Sequence, residues 1–371
     1  MNGYSTWLEI DLGAIRHNVE LLRSITARPL MAVIKANGYG HGLVEAGQAA
    51  RAGGAAWLGV ARLNEAMWLR DAGIDIPILV LGFCDPAHVS DAIANRVSLA
   101  VHHPEIARAF SDQAVSAGGV LNVHAKFDTG MGRLGVFAEE GAAFVHQIHN
   151  LPGLKLEAMF THMARADEPE LDTTDWQIER FCKLVQAVAA DGLRPPLVHA
   201  ANSASCLYFP KAYFDMVRPG IAIYGLHPAP EAPLRGNFRT ALVWKTRLAS
   251  VKELPAGHGV GYNYRYKTSG AERIGVIPTG YADGFRRRLG NFALVGGKRV
   301  PVAGGVCMDQ CMLQLDTVPE AKLGDEVVLI GTQGDARITA EDLGAEWGTN
   351  NYEVVCGLTA RVPRVYFKDF S

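Results

Sequence analysis

The sequence predicts an α/β protein in two parts. A closed (β/α)8 barrel of the TIM type spans residues 11–235, and a mostly β domain spans 236–371. Three observations carry this. Eight apolar runs alternate with stretches of helical periodicity through the first two thirds of the chain. Unusual polar residues stand at the ends of those runs, where a barrel places its chemistry. Beyond a proline-rich segment at 228–236 the pattern changes to short valine- and isoleucine-rich runs separated by glycines.

In chain order, the apolar runs are 30–34, 57–61, 78–82, 98–101, 120–127, 154–161, 197–200 and 214–217. Between them, segments such as 62–72 and 172–191 carry apolar residues at helical spacing, with Asp172 or Thr173 as the cap of the second. An open doubly wound sheet also fits such an alternation, but its first strand–helix turn carries no GxGxxG. The second part contains runs at 242–251, 273–277, 292–295, 299–302, 312–315 and 326–330. One short helix is expected there, with Thr339 capping Ala340-Glu341-Asp342-Leu343.

Composition narrows the function classes. At 371 residues the chain is too long for one small core. A net charge of −2 gives no basic surplus for nucleic acid. No apolar run approaches the roughly 20 residues of a membrane span, and no signal peptide is evident. The six cysteines are scattered, and Cys307/Cys311 is the only close pair. Without a CxxC or a nearby histidine pair, no metal site is expected, and a reducing cytoplasm fits best.

Candidate chemistry begins at Lys35. It closes the run Pro29-Leu30-Met31-Ala32-Val33-Ile34 and opens the glycine-rich Lys35-Ala36-Asn37-Gly38-Tyr39-Gly40-His41-Gly42. A lysine at the tip of an apolar strand is partly desolvated. Desolvation favours the neutral amine, a nucleophile able to form a Schiff base with an aldehyde. A lone lysine there most often merely ends a strand; its company changes the reading. Lys126 and Arg133 stand at and after the end of the fifth run, Thr161-His162 ends the sixth, and His199 to Ala204 and Arg218-Pro219-Gly220-Ile221 come at the ends of the seventh and eighth.

The stretch Ala32 to Gly42 resembles the cofactor-attachment site of alanine racemases, which use pyridoxal phosphate, and further segments agree. Arg218-Pro219-Gly220-Ile221-Ala222-Ile223-Tyr224-Gly225 resembles the family's cofactor-base segment, in which the arginine faces the pyridine nitrogen. A guanidinium with a pKa above about 12 does not readily protonate the ring, whereas an aspartate would make it a stronger electron sink. An arginine suits a racemase, which needs a short-lived carbanion. Asn202-Ser203-Ala204 and Gly220-Ile221 resemble the phosphate-binding elements, and Tyr39 and Tyr352 match positions that also contact the phosphate. Lys126 to Gly135 is another close match. It implies that Arg133 approaches the cofactor's phenolic oxygen, and that Lys126 corresponds to a lysine carbamylated in some members, where it orients that arginine. His162 is implied to bridge Arg218 and a catalytic tyrosine. That tyrosine is Tyr262, in His258-Gly259-Val260-Gly261-Tyr262-Asn263, with an ordinary pKa of about 10 that needs help near neutral pH. Gly280-Tyr281-Ala282-Asp283-Gly284 places Tyr281 at the entrance, and Val306-Cys307-Met308-Asp309-Gln310 places the Met308 backbone on the substrate carboxylate.

The resemblance runs from Leu8-Glu9-Ile10-Asp11 to Arg361-Val362-Pro363-Arg364, and also suggests that residues 1–10 add a strand to the second domain. Gly305 and Ala360 depart from it, where an arginine and a tyrosine are frequent. The resemblance implies interconversion of L- and D-alanine by two bases. Lys35 serves the D face and Tyr262 the L face, in a cytoplasmic homodimer whose second-domain segments reach the partner's cofactor. The role is D-alanine supply for peptidoglycan or its catabolism. A decarboxylase of similar layout lacks the Tyr262 segment. A barrel-only cofactor carrier lacks the domain after about residue 238. A racemase for another amino acid, such as serine, stays open.

Overall fold

The computed structural model describes residues 3–368. The chain divides into two units. One comprises residues 14–38 and 42–239; the other comprises 39–41 with the described residues before 14 and after 239.

The first unit is the barrel. Seven parallel strands follow one another in space in chain order: Met31–Val33, Trp57–Val60, Ile78–Val80, Val97–Val101, Leu121–Asp128, Leu154–Phe160 and Leu197–His199. Five of them are buried along nearly their whole length, as the continuous apolar runs require of parallel strands. The eighth run, 214–217, is not a full strand. It closes the ring through two parallel bridges, Leu30 to Val217 and His199 to Met216. The Met31 and Val33 amides donate to the carbonyls of Val217 and Pro219 at 2.8 and 2.9 Å. On the other edge, the Arg218 amide donates to Ala201 at 2.8 Å. Pro219 has no N–H, so the ladder stops there and the chain turns. Met31, Trp57, Leu79 and Met216, from four staves, form one buried cluster.

Leu43–Ala52, Leu63–Asp71, Val89–Ala94, Pro104–Ser116, Gly141–Asn150, Thr173–Ala190 and Ser203–Tyr208 are the connecting helices. After the eighth stave there is only a 3₁₀ turn, Ile221–Tyr224, and a further long helix, Leu12–Thr26, precedes the first barrel strand. Asp172 stands at the N-terminus of Thr173–Ala190, but its side chain caps nothing; its backbone is already helical, which turns the carboxylate away from the free amides.

In the second unit the strand order is Lys298–Pro301, Phe292–Val295, Glu326–Gln333, Leu242–Arg247, Thr6–Asp11, Arg364–Phe367, with Ala336–Ile338 paired to Glu326–Gln333. Residues 1 and 2 lie outside the described chain, and the amino-terminal strand is Thr6–Asp11. The run 242–251 is not one strand. The Leu248 amide bonds Asp325 and the Ala249 amide bonds Val276, so the chain changes partner and Ser250–Leu254 joins a separate sheet with Glu272–Ile277 and Cys311–Gln314. Thr339 does cap Ala340–Trp347: Asp342 N–H donates to its hydroxyl at 3.0 Å, and its own N–H donates to the Asp342 carboxylate at 2.8 Å.

Candidate active site

Lys35 sits at the carboxyl end of the first barrel strand, half-buried. The chain then makes a left-handed turn: Ala36 (φ 54°, ψ 51°), Asn37 (56°, 46°) and Gly38 (61°, 42°). For the two residues with a Cβ this conformation costs roughly 1–2 kcal/mol each, so the surroundings must impose it. They do so with hydrogen bonds. The Ala36 amide donates to Glu65 Oε1 at 2.7 Å, the Gly38 amide to Ile34 O at 2.8 Å, and the Leu43 amide to Asn37 Oδ1 at 3.0 Å. Buried Glu65 also accepts from the amides of Ala61 and Arg62 at 2.8 and 3.1 Å. One carboxylate thus ties the lysine turn to the next strand end. A Cβ on Gly38 would stand 3.1 Å from that of Ala46, at a φ that disfavours side chains.

Cations converge at this end of the barrel. Lys126 is buried, and its amine falls to about 8, first through burial and then through Arg133, Arg218 and Lys35. His162, half-buried, is held well below its ordinary value by burial and by the same four cations. The nearby carboxylate, Asp128, is committed to its own loop. It accepts from the amides of Gly130, Met131 and Gly132 at 2.8–2.9 Å, and these bonds keep it below the usual range against the opposing effect of burial. Arg133 is exposed on that loop.

Arg218 is buried, and burial pulls its guanidinium down to about 10, still cationic at neutral pH. Nη2 donates to Thr161 O at 2.7 Å and to Ala200 O at 3.0 Å, and lies 3.4 Å from His162 Nδ1; Nη1 lies 2.9 Å from His199 Nδ1. The group also packs over the Phe160 ring, 5.4 Å from its centre. Arginine only donates, so both histidine Nδ1 atoms accept, which fits neutral imidazoles. Beside it, Ser203 Oγ accepts from the amides of Gly220 and Ala222 at 2.9 and 3.3 Å. Both lone pairs are then used, leaving the hydroxyl proton for an anion. Ile221 opens the 3₁₀ turn that follows.

The second unit holds the remaining expected residues. Tyr39 is buried, its ring 6.2 Å from that of Tyr352, and its phenol is raised by burial and then by Tyr352. Tyr262, Tyr281 and Met308 are exposed by 69, 42 and 54 %. Gly261, Tyr262, Cys307, Met308, Asp309 and Gln310 line a depression of about 460 Å³. The Tyr281 and Ala282 amides donate to the carbonyls of Cys307 and Met308, both at 3.0 Å. This needs Gly280, where a Cβ would fall 2.2 Å from Met308 O. Arg361 adds ion pairs to Asp283 and Asp309 at 3.0 and 2.8 Å. A side chain at Gly305 would enter open space.

Sequence reasoning missed Glu65, which accepts from a residue 29 positions earlier, and His124; His199 was placed at the end of the seventh run, but not as the partner of Arg218. Only a carboxylate just inside the predicted helix at 62–72 hinted at the first. Among the described residues there is no cluster suited to a metal ion, and no helix is long and apolar enough to cross a membrane.

The first unit is a barrel with Lys35 at the end of its first strand and further cations acting at the same end, and the second is a β domain. The alanine racemase N-terminal domain family matches residues 10–228, and its C-terminal domain family matches 241–366. The chain is 45% identical over 364 residues to an alanine racemase of Symbiobacterium thermophilum, covering 97% of each. It superposes on the alanine racemase of Clostridium difficile 630 with a TM-score of 0.94 and 35% identity, covering 99% of this chain and 97% of that one. A histidine racemase of Leuconostoc mesenteroides shares the fold at 30% identity and a TM-score of 0.90, covering 99% of each. The chain belongs to the alanine racemase family. Its function is the racemisation of alanine, and the fold, family and isomerase class expected above all hold.

Proposed function

We propose that racemisation runs on pyridoxal phosphate, with Lys35 and Tyr262 as the two bases. One observation carries this: Lys35, Lys126, Arg133 and Arg218 share one field, while Asp128 is already engaged by backbone amides. Such a surplus of positive charge calls for an anionic ligand, and a phosphate with a phenolate suits it. Lys35 would hold the aldehyde carbon, Arg218 would face the ring nitrogen, and Arg133 the phenolic oxygen. Tyr39, Ser203, Gly220, Ile221 and Tyr352 would hold the phosphate. When bound, the group supplies an electron-withdrawing ring that acidifies the Cα–H of an attached amino acid.

The protein's part is proton placement. Lys35 Nζ takes the Cα proton of D-alanine, while the Tyr262 hydroxyl delivers a proton to the opposite face; the reverse direction exchanges the roles. Two bases are needed because one rigid group does not reach both faces. His162, kept neutral by burial and the nearby cations, lies 3.4 Å from Arg218 and would bridge it to Tyr262. Met308, through its backbone, and Arg133 bind the substrate carboxylate, and Tyr281 shapes the entrance. A carbamate on Lys126 would replace one of the crowded cations by an anion, which its lowered pKa favours.

The exposure of Tyr262, Tyr281 and Met308 supports a homodimer in which these residues serve the partner's site. The six free thiols suit the cytoplasm, and the activity would serve D-alanine supply for peptidoglycan or D-alanine catabolism.

The test is direct. Protein loaded with pyridoxal phosphate is reduced with borohydride and mapped, then assayed by chiral chromatography with alanine, serine and histidine. The label belongs on Lys35, and alanine should turn over fastest. A label on another lysine sinks the assignment.

A further inference from the structure

Behind Arg218 a row of polar groups crosses the barrel interior, where branched aliphatic side chains ordinarily pack. His199 Nδ1 lies 2.9 Å from Arg218 Nη1; His199 Nε2 lies 3.0 Å from His124 Nδ1; His124 Nε2 lies 3.2 Å from Glu157 Oε2. These groups come from four different staves. Both histidines are fully buried. Phe160 stacks on His199 at 4.9 Å and Trp57 meets His124 edge-on at 5.2 Å, which fixes both ring planes. Ser98 Oγ donates to Glu157 Oε2 at 2.7 Å, and Asn122 Nδ2 to Oε1 at 3.4 Å.

We propose that Glu157 is a positioning residue for Arg218, acting through His124 and His199; this rests on the reading that Arg218 faces the cofactor ring. The row has a donor-only group at one end and an acceptor-only group at the other. Arg218 must donate, so His199 Nδ1 accepts and its proton sits on Nε2. That proton goes to His124 Nδ1, which leaves the His124 proton on Nε2, directed at the carboxylate. Both ends demand the same arrangement. Burial lowers both imidazoles and keeps them neutral, as the row requires.

The consequence is for Nη1, since Nη2 already bonds Thr161 and Ala200. The bond to His199 completes the set that fixes the rotation of the guanidinium about its stem, at the end Nη2 does not hold. A glutamine at 157 has nearly the same shape but also donates. The opposite arrangement then becomes available, with Nδ1–H on both rings. In it, His199 presents a proton to the Arg218 proton, and the guanidinium must turn away.

The experiment uses full-length protein with ¹⁵N-labelled histidine. Long-range proton–nitrogen NMR without cofactor should find His124 and His199 as single Nε2–H tautomers in the parent, and as mixed tautomers in Glu157→Gln. With pyridoxal phosphate bound, Glu157→Gln should lose kcat by roughly tenfold, the effect of a weakened bond to a charged group, with KM for alanine nearly unchanged. His124→Gln, which interrupts the row midway, should show the same kcat loss and decides the matter if Glu157→Gln does not fold. Ser98→Ala keeps the carboxylate and should behave as the parent. Unchanged tautomers, or mixed tautomers with the parent kcat, overturn the proposal. Because the NMR arm needs no cofactor, its result stands apart from any failure of the pyridoxal phosphate reading.

Discussion

Replacing Lys126 with Met should stabilise the cofactor-free protein, and the gain should depend on pH in a defined way. Burial and three neighbouring cations lower Lys126 from 10.5 to about 8. At about 1.36 kcal/mol per unit, holding it protonated costs the fold roughly 3 kcal/mol below pH 8. Met keeps the unbranched stem but gives up the attraction between Nζ and the Phe160 ring, whose centre is 5.6 Å away. That attraction is worth about 1 kcal/mol, so a net gain of roughly 2 kcal/mol is expected at pH 7. The folded pKa lies below the unfolded one, so between about pH 8 and 10.5 the unfolded chain binds the extra proton. Parental stability therefore rises with pH across that window, and the advantage of Lys126→Met should vanish at its upper end. Urea unfolding followed by circular dichroism, in CO₂-free buffer at pH 7 and pH 10.5, measures this. A Lys126→Met protein less stable than the parent at pH 7, or a gain equal at both pH values, would refute the reasoning.

Two further outcomes follow from the site. Ser203→Ala removes the acceptor for the Gly220 and Ala222 amides and the hydroxyl proton left for the phosphate, so pyridoxal phosphate affinity should fall by about tenfold in a fluorescence titration, while kcat at saturating cofactor changes little. Arg218→Glu puts a carboxylate where the ring nitrogen is expected and should favour a protonated ring. Slower racemisation with an altered spectrum in the presence of alanine is expected; the parent rate with an unchanged spectrum would contradict the electronic role.

The barrel was legible because strands buried on both faces read as unbroken apolar runs, and because Lys35, His162 and Arg218 fall at run ends. The eighth run could not announce that it is only two bridges, since that depends on where Pro219 meets its neighbours. Nor could 242–251 show its break, because Leu248 and Ala249 change partners to residues far along the chain. Within the site, the Lys35 motif stood out, but the left-handed backbone after it is imposed by Glu65 from another element. His124 and Glu157 lie inside runs read simply as apolar strands. Their inward direction follows from the pleat, which shifts at the irregularity between Val123 and His124, and only the folded barrel reveals it.

The central claim is that Lys35 and Tyr262 are the two bases of a site shared between copies. Lys35→Ala and Tyr262→Phe should each be nearly inactive, since each removes one base. Mixed under conditions that exchange subunits, they form heterodimers in which one site carries both lesions and the other none. Racemisation of alanine should then return to roughly one quarter of the parent rate if pairing is random. If mass spectrometry verifies the exchange and no activity returns, the two bases belong to the same chain and the shared site is wrong.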